Sequence, residues 1–288
     1  MGGYSIKDLE NFTQIKAHTL RIWEQRYNLL TPDRSDTNIR LYSDKELKRI
    51  LNINLLYNNG LKISKIAQLD DEEILNLASK ILSAPVDCDA TKSDQIIKKI
   101  LEFDEAGLRE QLAQYLQEMP MADVFMNVVI PVLKKIGELW QVDSINTTHE
   151  HFFSNILRSF LINHTSQEPP LEAKGTALLF LREGEYHEIG LLFYNYYLRS
   201  KGYNTIYLGQ SLPVGDLRKI VRQLKPRYIF TSLVAKMDEE EFELFFKYVD
   251  SFFDLHNLFV GGYQLGIHGD LKPEAVNAIR SVDHIGLE

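Results

Sequence analysis

What most limits the fold of this chain is a change of hydrophobic period near residue 170. Before it, apolar residues recur at helical spacing. After Pro169-Pro170 comes a continuous apolar run at 176–181, then short extended runs at 204–209, 228–233 and 258–262. Helical stretches at 187–199, 214–224 and 238–253 separate these runs. Strands alternating with helices of this length predict a parallel sheet covered on both faces. Ligands of such sheets sit at the carboxyl ends of the strands. The loops at 182–187, 209–213, 231–236 and 261–265 are therefore expected along one edge.

The first 75 residues read differently. Ser5 can start a short helix carrying Ile6 and Leu9. A polar turn at 13–16 leads into a second helix, 18–27, with Leu20, Trp23 and Tyr27 on one face and His18, Arg21 and Gln25 elsewhere. Leu30 to Tyr42 predicts a hairpin wing whose turn is rich in Pro, Asp, Ser and Asn and which carries Arg34 and Arg40. Ser43-Asp44-Lys45-Glu46 has the spacing of a capping box. It opens a helix with Leu47, Ile50, Leu51 and Leu55 in register, stopped at Asn58-Asn59-Gly60. Charge agrees with this division. Residues 1–69 hold 11 Lys+Arg against 7 Asp+Glu, a balance of +4, whereas the rest of the chain balances at −12. A basic module on an acidic body suits one polyanion-facing domain.

Between these parts the pattern is helical, with helices expected at 93–102, 105–118, 121–141 and 147–165. Pro131 should bend the third or shift its start. The expected class is thus multidomain α and α/β. It comprises a winged helix-turn-helix (1–75), a four-helix bundle (85–166) and a Rossmann-like parallel-sheet domain (174–288). The single cysteine, Cys88, excludes a disulfide framework and any cysteine-rich metal site. No apolar run approaches a membrane span. Residues 1–5 lack the basic and apolar segments of a secretory signal, so a cytoplasmic protein is expected. With no P-loop and no Gly-x-Gly-x-x-Gly, the chain does not read as an NTP or NAD binder. Glu239-Glu240-Glu241 reads as a solvated helix start.

In the front module, the second helix would bring His18, Thr19 and Arg21 to operator DNA while Arg34 and Arg40 contact its backbone. Trp23, Arg26 and Tyr42 complete the candidate set. The segments Thr19–Glu24, Leu29–Arg34 and Arg40-Leu41-Tyr42 resemble the N-terminal winged helix-turn-helix of MerR-type transcription regulators. Trp23 stands where that family usually has Tyr, and Tyr27-Asn28 replaces a common glycine-containing turn.

In the rear domain, His187 lies in the loop after the first strand, where an imidazole can coordinate a metal held at the sheet edge. An acidic residue two positions earlier, Glu185, can hold the other ring nitrogen and fix the tautomer. Gly190 permits close approach. Thr231, Ser232 and Leu233, with Gly261 and Gly262, would line a crevice fit for a nucleotide-like tail. Together these residues resemble the cobalamin-binding domain of methionine synthase and mutases. That resemblance makes His187 the lower axial ligand of cobalt and sends the dimethylbenzimidazole tail into the sheet. Glu185 replaces the family's Asp, and Thr231 its Ser.

Trp140, followed after nine residues by Glu150-His151, resembles the helical cap of cobalamin-dependent MerR-type photoreceptors. Those proteins share this order of modules. The likeness implies adenosylcobalamin as cofactor, with Trp140 packed on its adenosyl group, and regulation by light. Light-sensing members commonly have His directly after that Trp, where this chain has Gln141, a poor cobalt ligand. A bis-histidine photoproduct would then need His149 or His151. The expected partners are double-stranded operator DNA and further copies of the chain, as a dimer or tetramer, with no membrane. Two alternatives stay open: a DNA-binding regulator whose rear domains bind protein rather than cobalamin, and a corrinoid methyl carrier.

Overall fold

The computed structural model describes residues 4–13, 15–34, 38–82, 92–141, 145–167, 174–281 and 285. Cys88, the wing tip at 35–37, the break at 143–144 and most of the 166–170 linker lie outside them. Contacts divide the chain into two compact units, residues 1–102 with 130–150, and residues 103–129 with 151–288.

The first unit begins with α1 (Ile6–Thr13) and α2 (Ala17–Tyr27). Ser5 and Asp8 cap α1 reciprocally: the Ser5 N–H donates to Asp8 Oδ2 (2.6 Å) and the Asp8 N–H to Ser5 Oγ (3.2 Å). α2 ends at Asn28, which adopts the left-handed conformation (φ 51°). Asn tolerates that region better than other non-glycine side chains, so it can close the helix here. The wing follows as two short antiparallel strands, β1 (Asp33–Arg34) and β2 (Arg40–Leu41). Then come α3 (Asp44–Asn58), α4 (Ile63–Ile66), α5 (Asp71–Leu82) and α6 (Lys92–Leu101). Leu9, Leu20, Trp23, Leu47, Ile50 and Ile53 form one buried cluster.

The expected capping box on α3 is only half formed. Ser43 accepts from the Glu46 N–H, but the Glu46 carboxylate turns away to take the N–H and hydroxyl of Thr31. It thereby anchors the chain entering the wing.

Two further helices, α7 (Glu105–Glu118) and α8 (Met121–Val124), lie in the second unit. A π-helical stretch, Phe125–Val129, leads from α8 into α9 (Ile130–Gln141), which belongs to the first unit. Pro131 has no N–H to continue the α ladder and its ring crowds the preceding turn, so the wider π turn takes up the misfit. α10 (Thr147–Gln167) then begins in the first unit and continues into the second.

The rest of the second unit is a five-stranded sheet. Its elements are β3 (Thr176–Arg182), α11 (Ile189–Ser200), β4 (Asn204–Leu212), α12 (Val214–Leu224), β5 (Tyr228–Ser232), α13 (Glu239–Asp250), β6 (Leu258–Gly261), α14 (Gln264–Ile267) and β7 (Asn277–Ala278). Every pairing is parallel, in the order β4-β3-β5-β6-β7. Alternation sorts the core. Leu178, Phe180, Ile229, Leu258 and Val260 pack with residues of α12 and α13, while Ala177, Leu179, Leu181, Phe230 and Phe259 pack with α11. β7, two residues long, was not anticipated from the sequence. Glu239-Glu240-Glu241 does start a helix, and Asp238 with Glu241 makes a complete capping box there. Among the described residues no helix is long and apolar enough to cross a membrane.

Candidate functional site

The strand order reverses direction between β3 and β5, so the loops leaving these two strands part and open a crevice. Glu185 sits in that crevice, fully buried. Its Oε1 accepts from His187 Nδ1 (2.6 Å) and the His187 N–H (3.1 Å). Its Oε2 accepts the N–H groups of Val234 (2.8 Å) and Ala235 (2.6 Å), in the loop after β5. Burial alone would raise this carboxyl, but the His187 ring and the three backbone N–H groups outweigh it and bring the pKa down to about 2. Glu185 is therefore ionised at neutral pH. With Nδ1–H held by the carboxylate, Nε2 is the nitrogen of His187 able to face a metal. The imidazole itself is exposed, 62% by side-chain area.

The residue beside it is also held. Glu188 forms an ion pair with Arg158 of α10 (2.5 Å) and accepts from the Tyr207 hydroxyl of β4 (2.9 Å). Burial, followed by this carboxylate, pushes the Tyr207 phenol up. Neither Arg158, Glu188 nor Tyr207 was a candidate from the sequence, because their link joins three distant segments and leaves no local motif.

Of the residues expected to line the crevice, the structure brings together Gly190, Ser232 and Gly261. A Cβ added at Gly190 would stand 3.9 Å from Ser232 Oγ. Ser232 and Gly261 are register partners on β5 and β6. Gly262 (φ 104°) lies so close to the Leu233 backbone that a Cβ would fall 2.3 Å from its carbonyl oxygen. Leu233 is core. Thr231 is not part of this group: strand alternation puts it on the face of Ile229 rather than that of Phe230, buried and with no partner for its hydroxyl. The hydroxyl on the crevice side is Ser232's.

These residues fit a corrinoid in one respect and resist it in another. Among the described residues no group of three or more His, Cys, Asp and Glu could hold a metal ion. One oriented imidazole suits a metal that arrives already chelated in its own macrocycle. The space over Gly261, however, is filled by Tyr194.

Trp140 and Glu150 belong to the first unit, His151 to the second. Trp140 packs against the core of the winged helix-turn-helix, with Lys48 Nζ 4.3 Å above its ring. Beside it, Gln141 Nε2 donates to Asn52 Oδ1 (2.9 Å) and Asn52 Nδ2 to the Gln141 carbonyl (3.3 Å). His149 Nδ1 is engaged with Asn146 (3.0 Å), and His151 is exposed just past the first turn of α10.

In the front module, His18, Arg21, Arg26 and Arg34 are exposed and Thr19 partly so. Arg34 bonds Asn38 across the wing (2.6 Å). Two candidates are corrected. Trp23 is 5% exposed and part of the core, its indole edge-on to the exposed Tyr57. Tyr42 is wholly buried, its hydroxyl donating to Glu24 (3.0 Å). Neither side chain can meet a groove. Arg40 is half committed, its Nε forked onto both oxygens of Glu24 (3.0 and 3.1 Å).

Residues 4–73 match the family model "MerR HTH family regulatory protein", and residues 93–162 match "B12 binding domain". The chain is 27% identical over 245 residues to the HTH-type transcriptional repressor CarH of Myxococcus xanthus, covering 83% of this chain and 82% of that one. It is 28% identical to CarA of the same organism, over 82% and 78%. The HTH-type regulator MlrA of Escherichia coli strain K12 is 37% identical over 73 residues, 25% of this chain and 30% of its own. Among solved structures, the monomethylamine corrinoid protein of Methanosarcina barkeri aligns at TM-score 0.45 and 17% identity, covering 61% of this chain and 85% of that one.

Proposed function

We propose that this chain, a MerR-type helix-turn-helix joined to a B12-binding domain, is a cytoplasmic transcription repressor governed by adenosylcobalamin. The observation that carries the cofactor is the Glu185–His187 pair at the switch point of the sheet: a buried carboxylate fixing an exposed imidazole so that Nε2 can face cobalt. When bound, cobalamin supplies a cobalt–carbon bond open to light. His187 would hold the metal through Nε2, with its tautomer fixed by Glu185 and its ring oriented by the loops after β3 and β5. On the sequence pattern alone, Trp140, Glu150 and His151 are proposed as further cofactor contacts. The winged helix-turn-helix (1–75), helical cap (85–166) and cobalamin domain (174–288) are the functional modules.

DNA binding falls to α2 and the wing. His18, Thr19, Arg21 and Arg26 lie on the outer side of α2, and Arg34 stands exposed on β1. One such module reads a half-site, so operator binding requires two or more copies. A cofactor that favours one arrangement of the chain shifts the population toward it, and DNA affinity follows. The repressor names of CarH and CarA support the sign of regulation. A carrier of methyl groups would have no use for the basic front module.

The test is direct. Purified protein is incubated in darkness with adenosylcobalamin, desalted and examined by absorption spectroscopy, then assayed by gel-shift on upstream DNA before and after green light. A retained red chromophore lost in His187→Ala, and a shift that depends on cofactor, support the reading. Protein that emerges colourless overturns the cofactor. A complex unchanged by illumination restricts the signal to cofactor supply.

A further inference from the structure

We propose that Tyr194 decides which corrinoids this chain accepts, by standing in the slot that a nucleotide tail would need. The inference rests on the corrinoid reading above and deepens it. Gly190 and Tyr194 are one helical turn apart on α11 and so share a face. That face looks onto the ends of β5 and β6, as the proximity of Gly190 to Ser232 Oγ indicates. Gly190, Ser232 and Gly261 line this slot with the smallest side chains available. The phenol of Tyr194 fills it: a Cβ on Gly261 would lie 2.0 Å from the Tyr194 hydroxyl oxygen and 3.0 Å from its Cζ. One flat aromatic group thus occupies the place where another, the base of a nucleotide tail, would lie.

The ring is packed against the core of this face without stacking on either aromatic neighbour. Its neighbours are each stacked on another partner, Phe193 on Phe125 (centroids 3.9 Å, 3° between planes) and Phe230 on Phe259 (4.6 Å, 7°). Tyr194 touches both only at a tilt, 6.3 Å away in each case. Neither stack includes Tyr194, so both can persist if the phenol is displaced. A complete cobalamin must displace the phenol to seat its tail. A corrinoid lacking the nucleotide reaches His187 with Tyr194 in place.

The experiment titrates the full-length protein with aquocobalamin and, separately, with aquocyanocobinamide, following the absorption change and retention after desalting. The wild type is expected to favour cobinamide. Tyr194→Ala should raise affinity for cobalamin about tenfold or more and leave cobinamide within about twofold. Tyr194→Phe keeps the ring and should keep the wild-type ratio. If Tyr194→Ala does not fold, Tyr194→Val opens the slot with less loss of volume. Equal affinities for the two corrinoids in the wild type, with a ratio that opening the slot does not move, overturn the gate and leave the corrinoid reading standing. Retention of neither corrinoid by the wild type overturns both.

Discussion

Replacing Glu185 by Gln alters one atom and should have two separable consequences. The carboxylate has an acceptor at each end, Oε1 for the His187 ring and N–H, and Oε2 for the N–H groups of Val234 and Ala235. An amide has one oxygen. If that oxygen serves Val234 and Ala235, its –NH2 faces His187, and the imidazole can accept from it only by moving its own proton to Nε2. The tautomer that presents a lone pair to cobalt is then lost although His187 remains. The opposite flip sets –NH2 against two backbone donors.

The depression of Glu185 from an ordinary 4.5 to about 2 corresponds to about 3 kcal/mol of stability at neutral pH. Because the folded pKa lies below the unfolded one, this contribution is complete above about pH 4.5 and disappears as pH falls through about 2. Urea unfolding of the cofactor-free protein should therefore show Glu185→Gln less stable than wild type at pH 7 by about 2–4 kcal/mol. The difference should shrink steadily below pH 4.5. Nitrogen-detected NMR of His187 should report the proton on Nδ1 in wild type and on Nε2 in the variant. Corrinoid affinity should fall about 10- to 100-fold. Equal unfolding midpoints at pH 7, or a gap that persists undiminished near pH 3, would refute this account of the loop.

In the front module, Arg21→Ala and Arg34→Ala should weaken DNA binding without changing the melting temperature, each lowering the salt dependence of log Kd by about one where the contact is to phosphate; fluorescence anisotropy across a salt series measures this. Trp23→Ala should instead destabilise the fold by about 3–5 kcal/mol, read by thermal unfolding, with DNA binding lost only as the module melts. Asn52 is 4% exposed and paired with Gln141. Asn52→Ala should therefore cost about 1–3 kcal/mol in urea unfolding by stripping the Gln141 amide of its partner; an unchanged midpoint would mean that the pair is not closed in solution.

Legibility in the sequence followed the range of the interactions. The four main strands, their parallel sense and the switch from helical to strand period depend on neighbours along the chain, and Leu178 and Phe180 against Ala177, Leu179 and Leu181 show how alternation carries through to the two cores. Ser43 could be read as a cap because its partner is three residues away, but Glu46 was claimed by Thr31 from fifteen residues upstream. Thr231 and Ser232 stand side by side in the sequence, and only the register of β5 decides which hydroxyl faces Gly261. Trp23 and Arg21 illustrate the same limit on a helix: both suit a DNA-facing surface, and packing alone assigns one to the core. Tyr194 gave no signal because a tyrosine in an apolar helix is unremarked until the glycine beneath it is found.

The arrangement around His187 shows why the acidic residue before it and the one after it do different work. Glu185 binds inward, to the ring and to the loop after β5, and settles which nitrogen is presented. Glu188 binds outward, to Arg158 on α10 and Tyr207 on β4, and ties the backbone beside the imidazole to a helix and an edge strand. An imidazole on an exposed loop has little packing of its own to hold it, so its position must come from its neighbours. Cutting the outward tie leaves the tautomer intact but lets the ring wander; cutting the inward tie leaves the backbone anchored but presents the wrong atom. The two losses should therefore not be additive for ligand affinity, since either one alone already removes an aimed lone pair.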